Sequence, residues 1–230
     1  MLYELRHYDI RSPRGLDRVN ERFDQHVIPI WNRLGIEPVG FWPVIIGSPS
    51  PRLTYILAWE NLTQRQSLWD AFEADPEWHT AVAETNAAWG GSPIHTFTSS
   101  ILKPTTFSRQ PRRDDQPARL RGGIFELRTY DFDESAHLTT ALTWFGEHAP
   151  DFEKHGLYAM GYWTTYVGVA PQLTVMLVFE NLAHRERSWA SFYTDPKWPT
   201  RQDGLYPNGK PLISRIDSTV MKGSEYSGWR

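Results

Sequence analysis

The chain has 230 residues, of which 40% are apolar and 22% charged, a composition typical of a folded protein with its own core. Its net charge of −3 gives no electrostatic basis for binding nucleic acid, and the absence of cysteine excludes disulfides, thiolate nucleophiles and cysteine-ligated metals. Because the start of the chain lacks the pattern of a signal peptide and no apolar run is long enough to span a bilayer, we expect a cytoplasmic protein that contacts no membrane.

The first part of the chain predicts alternating strands and helices. Between Leu16 and Leu34 the apolar residues recur with the spacing of an amphipathic helix, and Pro29 inside this pattern predicts a kink near 26–28. The predicted elements are, in order, a strand over 2–10, a helix over 16–34, strands over 39–46 and 53–59, a helix from Thr63 to a break at 75–76, a short helix over 77–88 and a strand over 94–102. This β-α-β-β-α-β order is that of a ferredoxin-like unit, an α+β fold.

The second part of the chain repeats the first. The sequence YELRHYD at 3–9 returns as FELRTYD at 125–131, and ENL at 60–62 returns at 180–182. The spacing between matched residues changes only by single residues, at points that we place between elements or near helix ends. We therefore predict three parts: a first ferredoxin-like repeat over 1–106, a solvated linker over 107–121 and a second ferredoxin-like repeat over 122–225.

The two copies differ after their matching tryptophans. A stretch compatible with a helix follows Trp78, whereas Trp198 is followed by Pro199 and then by Asp-Gly-Leu-Tyr-Pro-Asn-Gly over 203–209. Proline and glycine at these positions cannot continue a helix. We therefore predict that the two ends of the molecule are not equivalent, and that the 203–209 loop helps to decide which end carries a site.

Four motifs, in their order along the chain, resemble the NIPSNAP family: YELRHY at 3–8, WENL at 59–62, DPEW at 75–78 and ILKP at 101–104. The resemblance covers the whole first copy and, with losses, the second. It implies a dimeric α+β barrel, in which two ferredoxin-like units close their antiparallel sheets into one barrel. With two units in one chain, either the barrel closes within a monomer or the chain assembles into a homodimer or higher oligomer. Relatives of this fold include cofactor-free monooxygenases, isomerases and haem proteins, but the resemblance supplies no catalytic residues.

Alternation along the first strand separates a polar set of side chains from an apolar set. We expect the apolar set to face the helices, which directs the Glu-Arg-Tyr set of each copy into the barrel interior. The predicted substrate-binding residues are Glu4, Arg6, Glu126, Arg128, Glu60 and Glu180, with Trp42 and Trp163 as walls of the cavity. Alternatively, the glutamates and arginines form a structural ion network and the tryptophans are part of the core.

Four residues are candidates for catalysis: His26, His148, Tyr8 and Tyr130. Each histidine lies shortly before a proline of the long helix, where a kink could direct it into a cavity as a general base. The alternative is a histidine whose hydrogen bonds are satisfied on the helix. The tyrosines either donate to a substrate carbonyl or complete the ion network. No histidine spacing typical of a metal site is present, so we predict no metal.

Three functions fit this pattern. The first is binding, and transformation without a cofactor, of a small apolar or aromatic molecule inside the barrel, by proton transfer, isomerase or monooxygenase-type chemistry. The second is a non-catalytic binding or scaffold protein that recruits a partner through an exposed apolar surface. The third is haem binding through a histidine ligand. The residues alone leave open whether the protein is an enzyme.

Overall fold

Two four-stranded sheets, one from each copy, join edge to edge into one closed barrel. The computed structural model describes all 230 residues. Its strands are β1 (Leu2–Ile10), β2 (Glu37–Ile46), β3 (Arg52–Trp59), β4 (Ile94–Pro104), β5 (Ile124–Asp131), β6 (Tyr158–Val167), β7 (Gln172–Phe179) and β8 (Arg215–Lys222). They lie around the barrel in the order β1-β3-β2-β8-β5-β7-β6-β4. Because β2 pairs with β8 and β4 with β6, all antiparallel, the barrel closes within one chain.

The helices cover the outside of the barrel. They are α1 (Pro13–Arg22), α2 (Ile28–Leu34), α3 (Leu62–Glu73), α4 (Pro76–Trp89), α5 (Ser135–Lys154), α6 (Leu182–Thr194) and α7 (Trp198–Asp203), with short 3-10 turns at Ala118–Leu120 and Pro207–Gly209. The predicted fold, two ferredoxin-like repeats that form one α+β barrel, is confirmed. None of the helices combines the length and apolar character needed to cross a membrane.

A single extra residue distorts the first long helix. The segment Phe23–Val27 between α1 and α2 is a π-helical turn, in which the Ile28 N–H donates to the Phe23 carbonyl. One more residue separates His26 from Pro29 than separates His148 from Pro150, and the matching α5 is continuous. A π turn is how an α-helix accommodates one inserted residue. The predicted irregularity before Pro29 is therefore this turn, and the change of spacing lies inside the helix, not near its end as we expected.

The prediction of which face of β1 and β5 points into the barrel was wrong. The residues on the outer face, beneath the helices, are Glu4, Arg6 and Tyr8 in β1 and Glu126, Arg128 and Tyr130 in β5. Tyr3 and Phe125 instead belong to the core of the lumen. Arg6 lies directly opposite Tyr55 of β3, and residues directly opposite in a sheet share a face. Because Tyr55 packs in the core beneath the helices of the first copy, its partner Arg6 must face them too.

The lumen is a packed core of 17 buried residues. Trp42 and Trp163 are fully buried in it, and each indole lies over the glycine two positions earlier in its strand. A Cβ added to Gly40 would lie 2.5 Å from the Trp42 ring, and one added to Gly161 would lie 2.2 Å from the Trp163 ring. Eight strands enclose an interior that side chains just fill. The barrel interior predicted as a substrate site is therefore occupied by the protein's own side chains.

The segment between the copies is not the solvated linker that its composition predicts. Leu120 is buried and belongs to the lumen core together with Trp229 of the C-terminal tail. The Trp229 indole N–H donates to the Arg112 carbonyl at 2.7 Å, and the Tyr3 hydroxyl donates to the Pro111 carbonyl at 3.3 Å. The inter-repeat segment and the tail thus pack against the barrel and contribute side chains to its core.

Substitution of Gly161 by alanine tests the packing of the lumen. The new Cβ cannot coexist with the Trp163 ring, so we expect a loss of about 1–3 kcal/mol in the free energy of unfolding, measured by urea denaturation. Tyr166→Phe, at an exposed residue of the same strand, serves as the control and should leave stability nearly unchanged. A Gly161→Ala protein as stable as the wild type would mean that the indole does not lie over this glycine.

Candidate functional site

A buried carboxylate ties the sheet of the first copy to its helices. Glu4 is fully buried on the outer face of β1, and its two oxygens accept six hydrogen bonds. The donors are Arg6 (2.9 Å), Trp59 (3.1 Å), Arg65 (2.8 Å, twice), Trp69 (3.1 Å) and Ser99 (2.6 Å). They come from β1, β3, α3 and β4. We call Glu4 with these donors the first carboxylate clamp.

The second copy repeats this arrangement. Glu126 is also fully buried. Its donors are Arg128 (3.0 Å), Arg185 (2.8 Å, twice), Trp189 (3.0 Å) and Ser218. Phe179 stands where the first copy has Trp59, so one donor is lost. The second carboxylate clamp is otherwise equivalent to the first.

Both clamps keep their carboxylates ionised. Burial alone would raise the pKa of Glu126, but the hydrogen bonds from Arg185 and Ser218 and the charge of Arg128 outweigh it and lower the pKa to about 2. The pKa of Glu4 is lowered to about 2 in the same way, against burial, by Arg65, Ser99 and Arg6. Each clamp contains one carboxylate and two guanidinium groups. A net positive charge therefore remains beneath the helices of each copy.

A cavity of about 340 Å³ lies above the second clamp, between the sheet and the helices. Arg128 and Tyr130 of β5 line it from the sheet, and Ile216 of β8 lies beside them. Aromatic residues of α5, α6 and α7 form the wall, and Leu205 and Tyr206 close it from the loop after α7. Of its 17 lining residues, 12 are hydrophobic. The cavity is thus mainly apolar, with its polar groups at few positions.

Arg128 and Tyr130 form a fixed pair in this cavity. The Arg128 Nε–H donates to the Tyr130 hydroxyl oxygen at 2.9 Å, and its guanidinium lies 4.5 Å from the centroid of the Trp189 ring. Because the oxygen accepts this bond and the hydroxyl donates to no protein group, its proton is available to a ligand. Burial raises the pKa of Tyr130 despite the nearby charge of Arg128. Tyr130 is therefore a hydrogen-bond donor at neutral pH and not a base.

The equivalent space in the first copy is filled by side chains. Phe97 lies over Arg6, with its ring centroid 5.2 Å from the guanidinium, and the Tyr55 hydroxyl donates to the Tyr8 hydroxyl at 2.9 Å. By the strand register, the second copy has Ile216 in place of Phe97 and Val175 in place of Tyr55. The main cavities of the molecule touch neither Arg6 nor Tyr8. The second copy thus differs from the first in these two smaller side chains and in α7, which is shorter than the equivalent α4.

The two histidine candidates lie away from this cavity. His148 stacks on the Trp144 ring at 4.5 Å, and its Nδ1–H donates to the Trp144 carbonyl at 2.8 Å. His26 lies in the π-helical turn and borders a separate polar pocket. No histidine lines the cavity above Arg128, so the haem hypothesis finds no histidine ligand there.

The remaining predicted residues also lie elsewhere. Glu60 and Glu180 follow the ends of β3 and β7 and are exposed, which corrects their predicted position in the interior. Trp42 and Trp163 are part of the lumen core and border none of the main cavities. Of the predicted substrate-binding and catalytic residues, the cavity brings together Arg128 and Tyr130.

Most residues of the cavity wall could not be identified from the sequence. Trp144, Trp189 and Trp198 line the cavity, but their spacing along helices is equally typical of a core. The unusual loop at 203–209 was the one feature of the sequence that pointed to this end of the molecule. It supplies Leu205 and Tyr206 to the wall.

Comparison with known proteins identifies the family and the fold. The NIPSNAP family model matches residues 3–109 and 125–228. A protein of Lactobacillus acidophilus described as a "putative monooxygenase" has a TM-score of 0.60 at 8% identity, over 96% of this chain and 93% of that chain. An "anthrone oxidase-like protein" has a TM-score of 0.59 at 9% identity, over 97% and 91%. These identities show a common fold alone.

Solved structures of single family units match half of the chain. An uncharacterised NIPSNAP domain protein of Burkholderia xenovorans is 18% identical, with a TM-score of 0.42, over 48% of this chain and 100% of that chain. No curated protein matches the chain in sequence.

Substitution of Glu126 by glutamine tests the second clamp. The change leaves the guanidinium groups of Arg128 and the half-buried Arg185 without their counter-charge. We expect a loss of about 3 kcal/mol in the free energy of unfolding at pH 7, measured by urea denaturation. Glu186→Gln on α6 removes an exposed carboxylate and is the control, with an expected change within about 0.5 kcal/mol. Equal stability of the two variants would contradict the clamp.

The clamps also predict an acid-dependent stability. Because folding lowers the pKa of Glu4 and Glu126 from 4.5 to about 2, the unfolded chain binds protons more readily. The stabilisation is complete above pH 4.5 and is lost as the pH falls towards 2, by roughly 3 kcal/mol per carboxyl group. Denaturation at a series of pH values should show this slope, and Glu126→Gln should reduce it. An unchanged slope in Glu126→Gln would count against the assignment.

Proposed function

The chain belongs to the NIPSNAP family, and we propose that its second copy binds a small aromatic molecule that carries an oxygen atom. The proposed site is the cavity above the second clamp, not the lumen. The observation that carries the proposal is the available hydroxyl proton of Tyr130 in a space otherwise lined mainly by aromatic and aliphatic side chains. Mostly apolar cavities with a few convergent polar groups are typical of small-molecule sites.

In the proposed complex, the ligand's oxygen accepts the Tyr130 hydroxyl proton in a hydrogen bond, and its ring packs against the aromatic wall. The net positive charge of the second clamp lies behind Tyr130 and favours a partial or full negative charge on that oxygen. Ligands of this kind are phenols and enols, which become phenolates and enolates. The pair Arg128–Tyr130 would then act as an oxyanion stabiliser.

The cavity lining supports a restricted set of reactions. It contains no histidine, aspartate or glutamate, so a proton lost from the ligand would pass to water. A ligand that is already acidic fits this arrangement best. We propose cofactor-free chemistry on the bound oxyanion, of isomerase or monooxygenase type. The fold neighbours described as a "putative monooxygenase" and an "anthrone oxidase-like protein" make monooxygenase-type chemistry the first to assay.

The proposal is tested with a panel of phenols, naphthols and anthrones, followed by tryptophan fluorescence and by thermal shift. Tyr130→Phe removes the donor and should weaken binding of the best ligand about tenfold. The matched control is Tyr8→Phe, the equivalent position of the first copy, which should bind as the wild type does. Absence of binding across the panel, or equal weakening by both variants, would overturn the proposal.

A second variant tests the location of the site. Ile216→Phe places in the second copy the residue that the first copy has at this position, where Phe97 lies over Arg6. The larger ring should fill the cavity and abolish binding while the protein remains folded. Ligand binding that is unaffected by Ile216→Phe would exclude this cavity. Measurement of product formation under oxygen then separates an enzyme from a protein that binds the ligand without transforming it.

A further inference from the structure

Arg22, the last residue of α1, is a buried cation without a partner in the protein. Only 5% of the residue is exposed, yet its guanidinium makes no ion pair and no side-chain hydrogen bond. Its guanidinium makes a cation–π contact with the Trp78 ring, whose centroid lies 5.4 Å away. A buried charge normally has an ionic or hydrogen-bonded partner, because desolvation without one is strongly unfavourable. Burial accordingly lowers the pKa of Arg22.

The side chain of Arg22 borders a polar pocket of about 170 Å³ between α1, the π-helical turn and α4. Only two of its nine lining residues are hydrophobic. Arg18 and His26 add further potential donors, although Arg18 is already paired with Glu21 at 2.8 Å. Glu84 of α4 is exposed and makes no ion pair. The pocket is therefore small and polar, and its lining holds one unpaired buried cation, the Arg18–Glu21 ion pair and the unpaired carboxylate of Glu84.

This pocket has no counterpart in the second copy. Trp144 stands at the position of Arg22 and lines the aromatic cavity there. The short α7 ends at Asp203, so the second copy also lacks the part of α4 that supplies Glu84 and Thr85. The same place beneath the helices is thus apolar in one copy and cationic in the other. The unpaired arginine belongs to the first copy alone.

We propose that this pocket binds the carboxylate group of a small organic acid, with the planar guanidinium of Arg22 as its principal partner and His26 as a second donor. Guanidinium and carboxylate groups match in geometry and form paired hydrogen bonds. A singly charged anion is favoured over phosphate, because Glu84 repels additional negative charge. The site is separate from the proposed aromatic site, and neither depends on the other.

The test uses the full-length protein with acetate and propionate, in thermal shift and calorimetric titration at constant ionic strength. We expect a saturable rise in melting temperature with both carboxylates, and none with chloride. Arg22→Met should abolish this rise while leaving the ligand-free protein at least as stable as the wild type, since it removes an unpaired buried charge. Arg14→Met, an exposed residue of the same helix, makes the same change in charge and should retain the full response.

Arg22→Lys keeps the charge without the planar pair of donors and should weaken binding at least about tenfold, which provides a test if the methionine variant does not fold. A wild-type protein without a saturable response to carboxylates overturns the proposal, and so does an unchanged response in Arg22→Lys. Stronger binding of inorganic phosphate than of acetate would overturn the assignment of a carboxylate. Aromatic binding in the second copy should be unaffected by these substitutions, which separates this outcome from the test of Tyr130.

Discussion

The buried carboxylate in the first strand of each copy is the constraint on which the surrounding structure depends. Glu4 and Glu126 accept hydrogen bonds from the sheet and from the helix above it, so each ties α3 or α6 to the barrel. A carboxylate in this position is tolerated because several donors replace its hydration. The Glu-x-Arg pattern of the repeated strand therefore first serves packing. The net positive charge of each clamp then acts on any ligand bound between the sheet and the helices above that clamp.

The two copies share the carboxylate clamp but differ in what occupies the space between the sheet and the helices. Above the first clamp, Phe97 and Tyr55 fill the space over Arg6 and Tyr8. Above the second, smaller residues and the short α7 leave a cavity over Arg128 and Tyr130. The first copy instead has a polar pocket beside Arg22, which the second copy lacks. Duplication thus preserved the clamps, while side-chain volumes and the length of the last helix changed the space between sheet and helices.

Closure of the barrel within one chain fills the middle of its lumen with side chains from both copies. The strands of both copies direct large side chains inward, and the inter-repeat segment and the tail add Leu120 and Trp229. Close packing of Trp42 and Trp163 requires glycine at the positions that their rings cover. The lumen is thus the common core of both copies. The aromatic cavity above Arg128 and the pocket beside Arg22 lie outside it, between the sheet and the helices.

The sequence by itself determined the duplication, the order of strands and helices and the family, because these follow from periodicity and from motifs in register. It also placed Arg128 and Tyr130 together on one face of a strand. Only the tertiary structure decided which face that was, since both faces of this sheet are buried and hydrophobicity cannot distinguish them. Cross-strand pairing of Arg6 with Tyr55 settles the choice. Whether a cavity exists depends on side-chain volumes brought together from distant segments, as at Ile216 and Leu205, and no local pattern encodes that sum.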